Sequence, residues 1–186
     1  MMSELSEVGA GGDPVVVVPY DPRWPSLFEA EAVRLGLALG EVASRIEHVG
    51  STAVPGLAAK PVIDIQISVQ ALEPPKPYAS PLEGLGYGNW RDIHEPDHRF
   101  CRDEPRRHHI HLMVAGGATE SDRPLFRDYL TTNSEVRRSY AELKVAVARA
   151  FGHDRDRYTS AKDEFITTAL GAARAWARDT GWTLGA

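Results

Sequence analysis

Residues 45–69 constrain the fold more than any other stretch, because they predict a strand, a tight turn and a second strand. Residues 45–49 alternate polar and apolar side chains, a pattern typical of a half-buried strand. Gly50 and Ser51 break that pattern, and glycine permits both a sharp turn and the close approach of a ligand. From residue 61 the chain is extended again, and its side chains alternate between two faces. The core face is predicted to hold Ile63, Ile65, Ile67 and Val69, and the cleft or solvent face Asp64, Gln66 and Ser68.

Asp64 and the Gly50–Ser51 turn form a pattern suited to binding phosphate. The Ser51 hydroxyl stands beside backbone N–H groups that a turn leaves free, which predicts a cradle for phosphate oxygens. Mg²⁺ is usually held by one or two carboxylates together with phosphate oxygens, and Asp64 is the candidate carboxylate. Phosphoryl-type transfer then needs mainly positioning and neutralisation of charge. The alternative is an ordinary surface turn followed by a strand with one polar face.

The composition limits the classes of protein and partner. A length of 186 residues fits one domain, which we place at residues 14–178 after a flexible tail at 1–13. The formal charge of −5 argues against general binding of nucleic acid. Residues 91–111 nevertheless hold five arginines and five of the seven histidines, a patch suited to a small anionic ligand. No apolar run approaches the ~20 residues of a membrane helix and no signal peptide is recognisable, so a cytoplasmic location is expected. The oligomeric state is left open.

Hydrophobic periodicity predicts an α/β (α+β) protein with a mixed β-sheet, flanking helices and a C-terminal helical segment. Residues 15–18 predict a short strand or an extended lead-in, and a helix is predicted from Asp21-Pro22 to Gly40. Residues 98–102 and 107–114 predict an antiparallel hairpin. The last third is predicted to be helical, with caps at Asn133 and Asp154 and a final helix that ends near Trp176.

Six motifs spread over residues 15–170 occur together in this chain. They are Tyr20-Asp21-Pro22-Arg23-Trp24, I-E-H-V-G-S-T-A-V-P-G-L-A-A-K-P-V-I-D-I at 46–65, H-I-H-L-M-V at 109–114, Phe126-Arg127-Asp128-Tyr129-Leu130, Tyr140 with Leu143-Lys144, and Tyr158 with Lys162. In this combination the chain resembles the GrpB family of uncharacterised proteins, also catalogued as UPF0157, which is related to the nucleotidyltransferase superfamily of the polymerase-β type. The resemblance implies a nucleotidyltransferase-like fold and a nucleotide or other phosphate-bearing ligand. It also implies a Gly-Ser turn that touches phosphate, two carboxylates one residue apart on the next strand, and a third carboxylate on another strand.

The chain departs from that pattern at the implied metal site. Gln66 stands where the second carboxylate is implied, and an amide oxygen lacks the charge that attracts Mg²⁺. The strand that would supply the third carboxylate offers His109 and His111, whose side chains point the same way. With Asp64 they predict a two-histidine, one-carboxylate site, and the expected cofactor is a divalent metal, Mg²⁺ or Mn²⁺ ahead of Zn²⁺. The alternative is a polar strand face that hydrogen-bonds to its neighbours or attracts an anion.

Several other side chains are candidates for contacting the ligand. The predicted substrate-binding residues are Gly50, Ser51, Lys60, Gln66, Arg99, Arg107, Tyr158 and Lys162. Arg99 and Arg107 offer paired N–H donors to a phosphate, and Tyr158 and Lys162 lie four residues apart on one helical face. For each of these cations the alternative is an ordinary solvated side chain.

Three functions are compatible with these residues. The first is a nucleotidyltransferase-like protein that binds a nucleotide or other phosphate-bearing ligand, with Asp64 and Ser51 as catalytic residues. The second is a non-catalytic nucleotide- or anion-binding module with a degenerate metal site, which Gln66 favours. The third is a metal-dependent enzyme that uses His109, His111 and Asp64. The sequence leaves open whether the protein is an enzyme.

Overall fold

A computed structural model describes residues 14–92 and 98–185. Within them, short polar turns and caps separate five strands and six helices. The strands are β1 (Ala43–Val49), β2 (Ile63–Val69), β3 (Gly88–Asp92), β4 (His98–Arg102) and β5 (His108–Val114). The helices are α1 (Trp24–Leu39), α2 (Lys76–Gly84), α3 (Asp122–Thr132), α4 (Ser134–Phe151), α5 (Arg155–Ser160) and α6 (Asp163–Thr180). The predicted α/β class with a mixed sheet and a C-terminal helical segment is therefore confirmed.

The sheet is mixed, with the strand order β1-β2-β5-β4-β3. β2 and β5 are parallel neighbours at its centre, and the other three pairs are antiparallel. In the central pair, Asp64 lies opposite His109 and Gln66 lies opposite His111. Residues directly opposite each other share a face of the sheet, so the polar side chains of the two strands converge.

Alternation divides the sheet into two faces that are covered differently. One face packs under α1 and α2 as a hydrocarbon core, which includes Trp24, Leu35, Ile65, Ile67, Leu82, Cys101, Ile110 and Leu112. The other face carries Asp64, Gln66 and the two histidines, and it lies toward the C-terminal helices. α3 is anchored to β1 there, because Arg127 donates to the Glu47 carboxylate and to the His48 carbonyl, each at 2.8 Å.

Local signals explain most of the element boundaries. Asn133 accepts the backbone N–H of Val136 and Asp154 that of Arg157, so both predicted helix caps are confirmed. Of the two alternatives for residues 15–18, the regular strand is wrong, because Val18 makes only an isolated bridge to Ala59. The single final helix is wrong as well, because the chain breaks between α5 and α6.

Two expectations concern the chain as a whole. The predicted tail at 1–13 lies outside the described residues, and the domain boundaries at 14 and 178 stay a prediction. No helix in the described ranges combines the length and the apolar character that crossing a bilayer requires.

Candidate functional site

The turn after β1 and the first polar residue of β2 lie in direct contact. Gly50 has φ 72° and ψ −170°, a conformation that is essentially restricted to glycine. A methyl group added at Gly50 would lie 2.9 Å from the Asp64 Cβ and against the Asp64 carboxylate. Ser51 begins a short 3₁₀ turn, whose first N–H groups have no acceptor within the turn. The predicted proximity of Asp64 to the Gly50–Ser51 turn is therefore present in the structure.

Two histidines of β5 face the Asp64 carboxylate. His109 Nδ1 lies 3.1 Å from Asp64 Oδ1, and His111 Nε2 lies 3.7 Å from the same oxygen. Burial opposes ionisation of Asp64, but the contacts with His109 and His111 outweigh it and hold the pKa of the carboxyl well below its usual value. Asp64 is therefore an ionised carboxylate whose Oδ1 is engaged by its neighbours.

Behind His111, a series of buried polar side-chain contacts continues to α3. His111 Nδ1 is 3.1 Å from His98 Nε2, and His98 Nδ1 is 3.4 Å from Arg123 Nη2. Burial and the charge of Arg123 lower the pKa of His98 to about 2 and that of His111 to about 4. Both imidazoles are therefore neutral at physiological pH.

Three of the four lysines in the chain gather near Asp64. We call Lys60, Lys144 and Lys162 the lysine cluster. Lys144 is 2% exposed and donates to the Ala58 carbonyl at 2.5 Å. The Asp64 carboxylate raises the pKa of each lysine, but burial dominates and lowers all three. Burial and a neighbouring lysine bring the pKa of Lys144 to about 7 and that of Lys162 to about 8.

Two buried tyrosines form the floor of the lysine cluster. The Lys144 ammonium lies 4.7 Å from the centre of the Tyr140 ring. Those of Lys162 and Lys60 lie 4.3 and 5.9 Å from the Tyr158 ring. Burial raises the pKa of Tyr158 to about 12, so its ring stays neutral and its face attracts cations. This arrangement gathers three lysines beside Asp64, with Asp163 as a second carboxylate near Lys162.

A pocket of about 380 Å³ has Tyr140 in its wall. It is lined by Val49, Gly50, Ser51, Asp64, His111, Thr119, Asp122, Arg123, Phe126, Leu130, Tyr140, Asp163, Ile166 and Leu170. Asp64 and Ser51 form part of its wall, together with Tyr140, whose ring also contacts the Lys144 ammonium. A ligand in this pocket would therefore meet both the turn and the carboxylate.

The Gln66 side chain is used in a hydrogen-bond network inside the fold. It is fully buried, and its Nε2 donates to the Glu120 carbonyl at 2.8 Å. The Glu120 carboxylate in turn accepts from Ser68 Oγ at 2.5 Å, from the Gly116 N–H at 2.7 Å and from Arg45 at 3.1 Å. This network fastens the loop before α3 to the polar face of β2. The predicted contact between Gln66 and substrate is therefore not supported by its position.

Arg99 and Arg107 are not brought to the cleft. Arg99 lies opposite Leu112 on the hydrocarbon face, and its guanidinium pairs with Glu73 at 3.4 Å. Arg107 lies in the hairpin turn, where its side chain is 67% exposed and pairs with Asp103 at 3.4 Å. Strand alternation accounts for Arg99, because His98 and Phe100 point to the Asp64 face and Arg99 points away from it.

The side chains around Asp64 fit a metal ion that is carried by phosphates better than an ion held by histidines. Within residues 14–92 and 98–185, no three His, Cys, Asp or Glu side chains are arranged to hold a metal ion. His109 and His111 face the Asp64 carboxylate as partners, so the predicted histidine-metal site is not formed by this geometry. Asp64 Oδ2 has no hydrogen-bond partner among the described residues, and one such oxygen fits Mg²⁺ or Mn²⁺ carried by phosphates.

Four residues of the site were missed by sequence reasoning: His98, Arg123, Tyr140 and Lys144. Tyr140 and Lys144 were noted only as part of a family motif, yet they repeat the Tyr-x-x-x-Lys spacing of Tyr158 and Lys162. That repeat was a usable signal for a second lysine over an aromatic ring. His98 and Arg123 had no such signal, since their contact depends on the pairing of β4 with β5 and on the docking of α3.

Comparisons with known proteins agree with the fold and the motifs. A family model described as GrpB protein matches residues 14–171. A UPF0157 protein of Pseudomonas aeruginosa is 44% identical over 178 residues, which are 91% of this chain and 72% of that protein. A crystal structure of conserved protein GrpB from Enterococcus faecalis matches with a TM-score of 0.78 and 34% identity, over 87% of this chain and 99% of that chain.

A second kind of relative is longer than this chain. A dephospho-CoA kinase of Mycolicibacterium paratuberculosis is 33% identical over 196 residues, which cover 91% of this chain. The same alignment covers 48% of the kinase, so this chain spans about half the length of that protein.

Proposed function

This chain belongs to the GrpB family, and from that premise we propose that its cleft binds a nucleotide or another phosphate-bearing small molecule. The Gly50–Ser51 turn receives phosphate oxygens on its backbone N–H groups and on the Ser51 hydroxyl. The lysine cluster supplies the positive charge, and the pocket beside Tyr140 receives the rest of the ligand or an acceptor. The Asp64 carboxylate stands between the two.

The lysine cluster is the observation that supports this proposal most strongly. Three ammonium groups share one corner of the molecule, where burial already disfavours their charge. Desolvated like charges destabilise a fold unless a partner compensates them. Asp64 is the carboxylate whose charge acts on all three, and Asp163 acts on Lys162 as well, so an anion with several oxygens would add compensation for the lysines that these two carboxylates share. A polyphosphate satisfies that demand better than a monovalent anion does.

The names of some relatives suggest one ligand to include. Dephospho-CoA kinases are named for dephospho-CoA as their substrate, and this chain aligns with about half of such a protein. The chain contains no G-x-x-x-x-G-K-[ST] motif, which cradles phosphate in P-loop kinases. We therefore include dephospho-CoA among the ligands to be tested, and we do not propose the kinase reaction for this chain.

Transfer of a nucleotidyl group is the finer form of the proposal. Mg²⁺ or Mn²⁺ that arrives with the phosphates would neutralise their charge, and Asp64 Oδ2 would hold it. The lysine cluster would fix the phosphates, and Ser51 would orient the group that is transferred.

The second candidate is binding without transfer. Gln66 replaces a carboxylate, is fully buried, and is committed to the Glu120 carbonyl. A single carboxylate suffices to hold an ion carried by phosphates, but it does not make a two-metal site.

Isothermal titration calorimetry tests the binding proposal. The ligands are ATP, GTP, CTP, UTP, dephospho-CoA and pyrophosphate, each with and without MgCl₂. Lys144→Met and Lys162→Met are each expected to weaken binding about tenfold or more, the size of one lost charge-assisted hydrogen bond. Lys76→Met is the matched control, because Lys76 is exposed on α2 beyond the other face of the sheet. Absence of heat with every ligand, from protein shown to be folded by circular dichroism, contradicts the proposal.

A turnover assay separates the two candidates. Release of pyrophosphate from a bound nucleoside triphosphate, lost in Asp64→Ala, supports transfer. Binding that persists without release in wild type and in Asp64→Ala supports the binding module.

A further inference from the structure

The buried series of side-chain contacts from Asp64 to α3 contains one residue that can act only as a hydrogen-bond donor. Arg123 carries a guanidinium, which has five N–H donors and no acceptor and stays protonated in proteins. Its Nη2 lies 3.4 Å from His98 Nδ1. Nδ1 must therefore accept, because two N–H groups pointed at each other would repel. His98 is consequently neutral, with its proton on Nε2.

The same reasoning applies to the next side-chain contact, between His98 and His111. His98 Nε2 lies 3.1 Å from His111 Nδ1, and it carries the proton. His111 Nδ1 must then accept, so the proton of neutral His111 is on Nε2. That nitrogen lies 3.7 Å from Asp64 Oδ1, so a protonated Nε2 stands within ion-pair range of the carboxylate but beyond normal hydrogen-bond distance.

The other imidazole at the carboxylate is constrained by Asp64 itself. An ionised carboxylate only accepts hydrogen bonds, so His109 Nδ1, 3.1 Å from Oδ1, carries its proton. The N–H group of His109 thus donates to Oδ1, the Nε2–H group of His111 attracts the same oxygen from a longer distance, and Oδ2 lies over Gly50 on the side of the turn.

We propose that Arg123 is a positioning residue: it sets the proton positions of His98 and His111 so that Asp64 is held by Oδ1 and presents Oδ2 to the ligand. His98 is completely buried and Arg123 lines the pocket, so the guanidinium connects the pocket wall to the carboxylate through two imidazoles. The arrangement also prevents His111 from binding a metal through Nε2, since that nitrogen has no free lone pair. The role of Oδ2 rests on the proposed function, whereas the proton positions do not.

Nitrogen NMR of the protein labelled with ¹⁵N-histidine measures these proton positions directly. In wild type, long-range ¹H–¹⁵N correlations are expected to give protonated Nε2 and bare Nδ1 for His98 and His111, and protonated Nδ1 for His109. In Arg123→Met the ratio of the two His98 tautomers is expected to change about tenfold or more, the size of one lost charge-assisted hydrogen bond. Arg123→Lys keeps a donor that cannot accept, and it is expected to retain the wild-type tautomers.

A control variant and three outcomes make the test decisive. Arg174→Met removes an arginine that pairs with Asp122, the neighbour of Arg123, and it should leave all three histidines unchanged. A wild-type His98 that carries its proton on Nδ1 overturns the proposal. Wild-type tautomers in Arg123→Met overturn it as well, and so does Arg123→Lys that behaves like Arg123→Met. None of these readouts requires a ligand, so a failure of the proposed function would be seen separately in the calorimetry.

Discussion

The two faces of β2 are held in different ways. Ile65 and Gln66 are adjacent and both are 0% exposed. Ile65 packs among hydrocarbon side chains from α1, α2 and the other strands. Gln66 is held by a hydrogen bond to the Glu120 carbonyl, while its Oε1 has no hydrogen-bond partner among the described residues. The order of the first face therefore depends on how well side-chain volumes fit together, and that of the second depends on the orientation of hydrogen bonds.

This difference explains where a site can form. Hydrocarbon packing is non-directional, so the face under α1 and α2 gains stability from any close fit. Buried polar groups need partners at fixed angles, so the opposite face is ordered by contacts such as those of His98, His111 and Arg123. A surface of that kind can leave one group, Asp64 Oδ2, available for a ligand while all its neighbours are fixed.

The largest effect is expected from a cavity on the hydrocarbon face. Ile65→Ala removes buried methyl and methylene groups where neighbours cannot fill the space, and it should lower the free energy of unfolding by about 2–5 kcal/mol. Urea denaturation measures this loss. Phosphate-ligand affinity should remain unchanged at temperatures where the variant is folded. Loss of affinity in the folded variant would show that the two faces are not separable.

Gln66→Met is the matched change on the polar face. It removes one hydrogen bond and one unpaired buried oxygen together, so the free energy of unfolding should change by about 1 kcal/mol or less. A loss as large as that of Ile65→Ala would mean that the polar face contributes as much to stability as the core.

A comparison of two glycines should distinguish the Gly50–Ser51 turn from an ordinary glycine turn. Gly50 and Gly56 have φ values of 72° and 77°. Alanine at either position should cost about 1–3 kcal/mol in backbone strain. Only at Gly50 would the new methyl group displace the Asp64 carboxylate, so Gly50→Ala should lose about 1–3 kcal/mol more through overpacking.

Ligand binding gives the sharper comparison between the two glycines. Gly50→Ala should weaken phosphate-ligand binding about tenfold or more, whereas Gly56→Ala should bind as wild type does. Chemical denaturation and calorimetry on the two variants provide both measurements. Equal losses of affinity would show that strain in the loop, and not contact with Asp64, controls the site.

The sequence predicts the two faces unequally. The alternation of Ile63, Asp64, Ile65 and Gln66 was enough to assign each side chain to a face and to place Asp64 near the turn. It could not show that the polar face would be covered, because Glu120 reaches β2 from 54 residues away in the chain. Alternation along β4 puts Arg99 on the same face as Cys101, away from Asp64, whereas the predicted contact of Arg99 with phosphate rests on its charge. For Arg99, strand geometry therefore predicts the position of the side chain correctly, and charge alone does not.

The smallest effect concerns pH and the lysine cluster. The pKa of Lys144 is lowered to about 7 and that of Lys162 to about 8, chiefly by burial. A bound anion favours the charged form of both, so binding near pH 8 should take up protons. Affinity should therefore be highest below the two pKa values and should fall as pH rises through them. Between pH 7.5 and 9.5 the dissociation constant for ATP is expected to increase on the order of tenfold.

The ligand itself contributes little to that slope. The last ionisation of a phosphate has a pKa of about 6, so the charge of ATP is nearly constant above pH 7.5. Calorimetry in two buffers of different ionisation heat counts the protons taken up. Lys162→Met should flatten the dependence, because it removes the group that titrates near 8, and Lys76→Met should keep the wild-type slope. Affinity that is constant or rises with pH would place the anion away from the lysine cluster, and the charge of the polar face would then serve the fold alone.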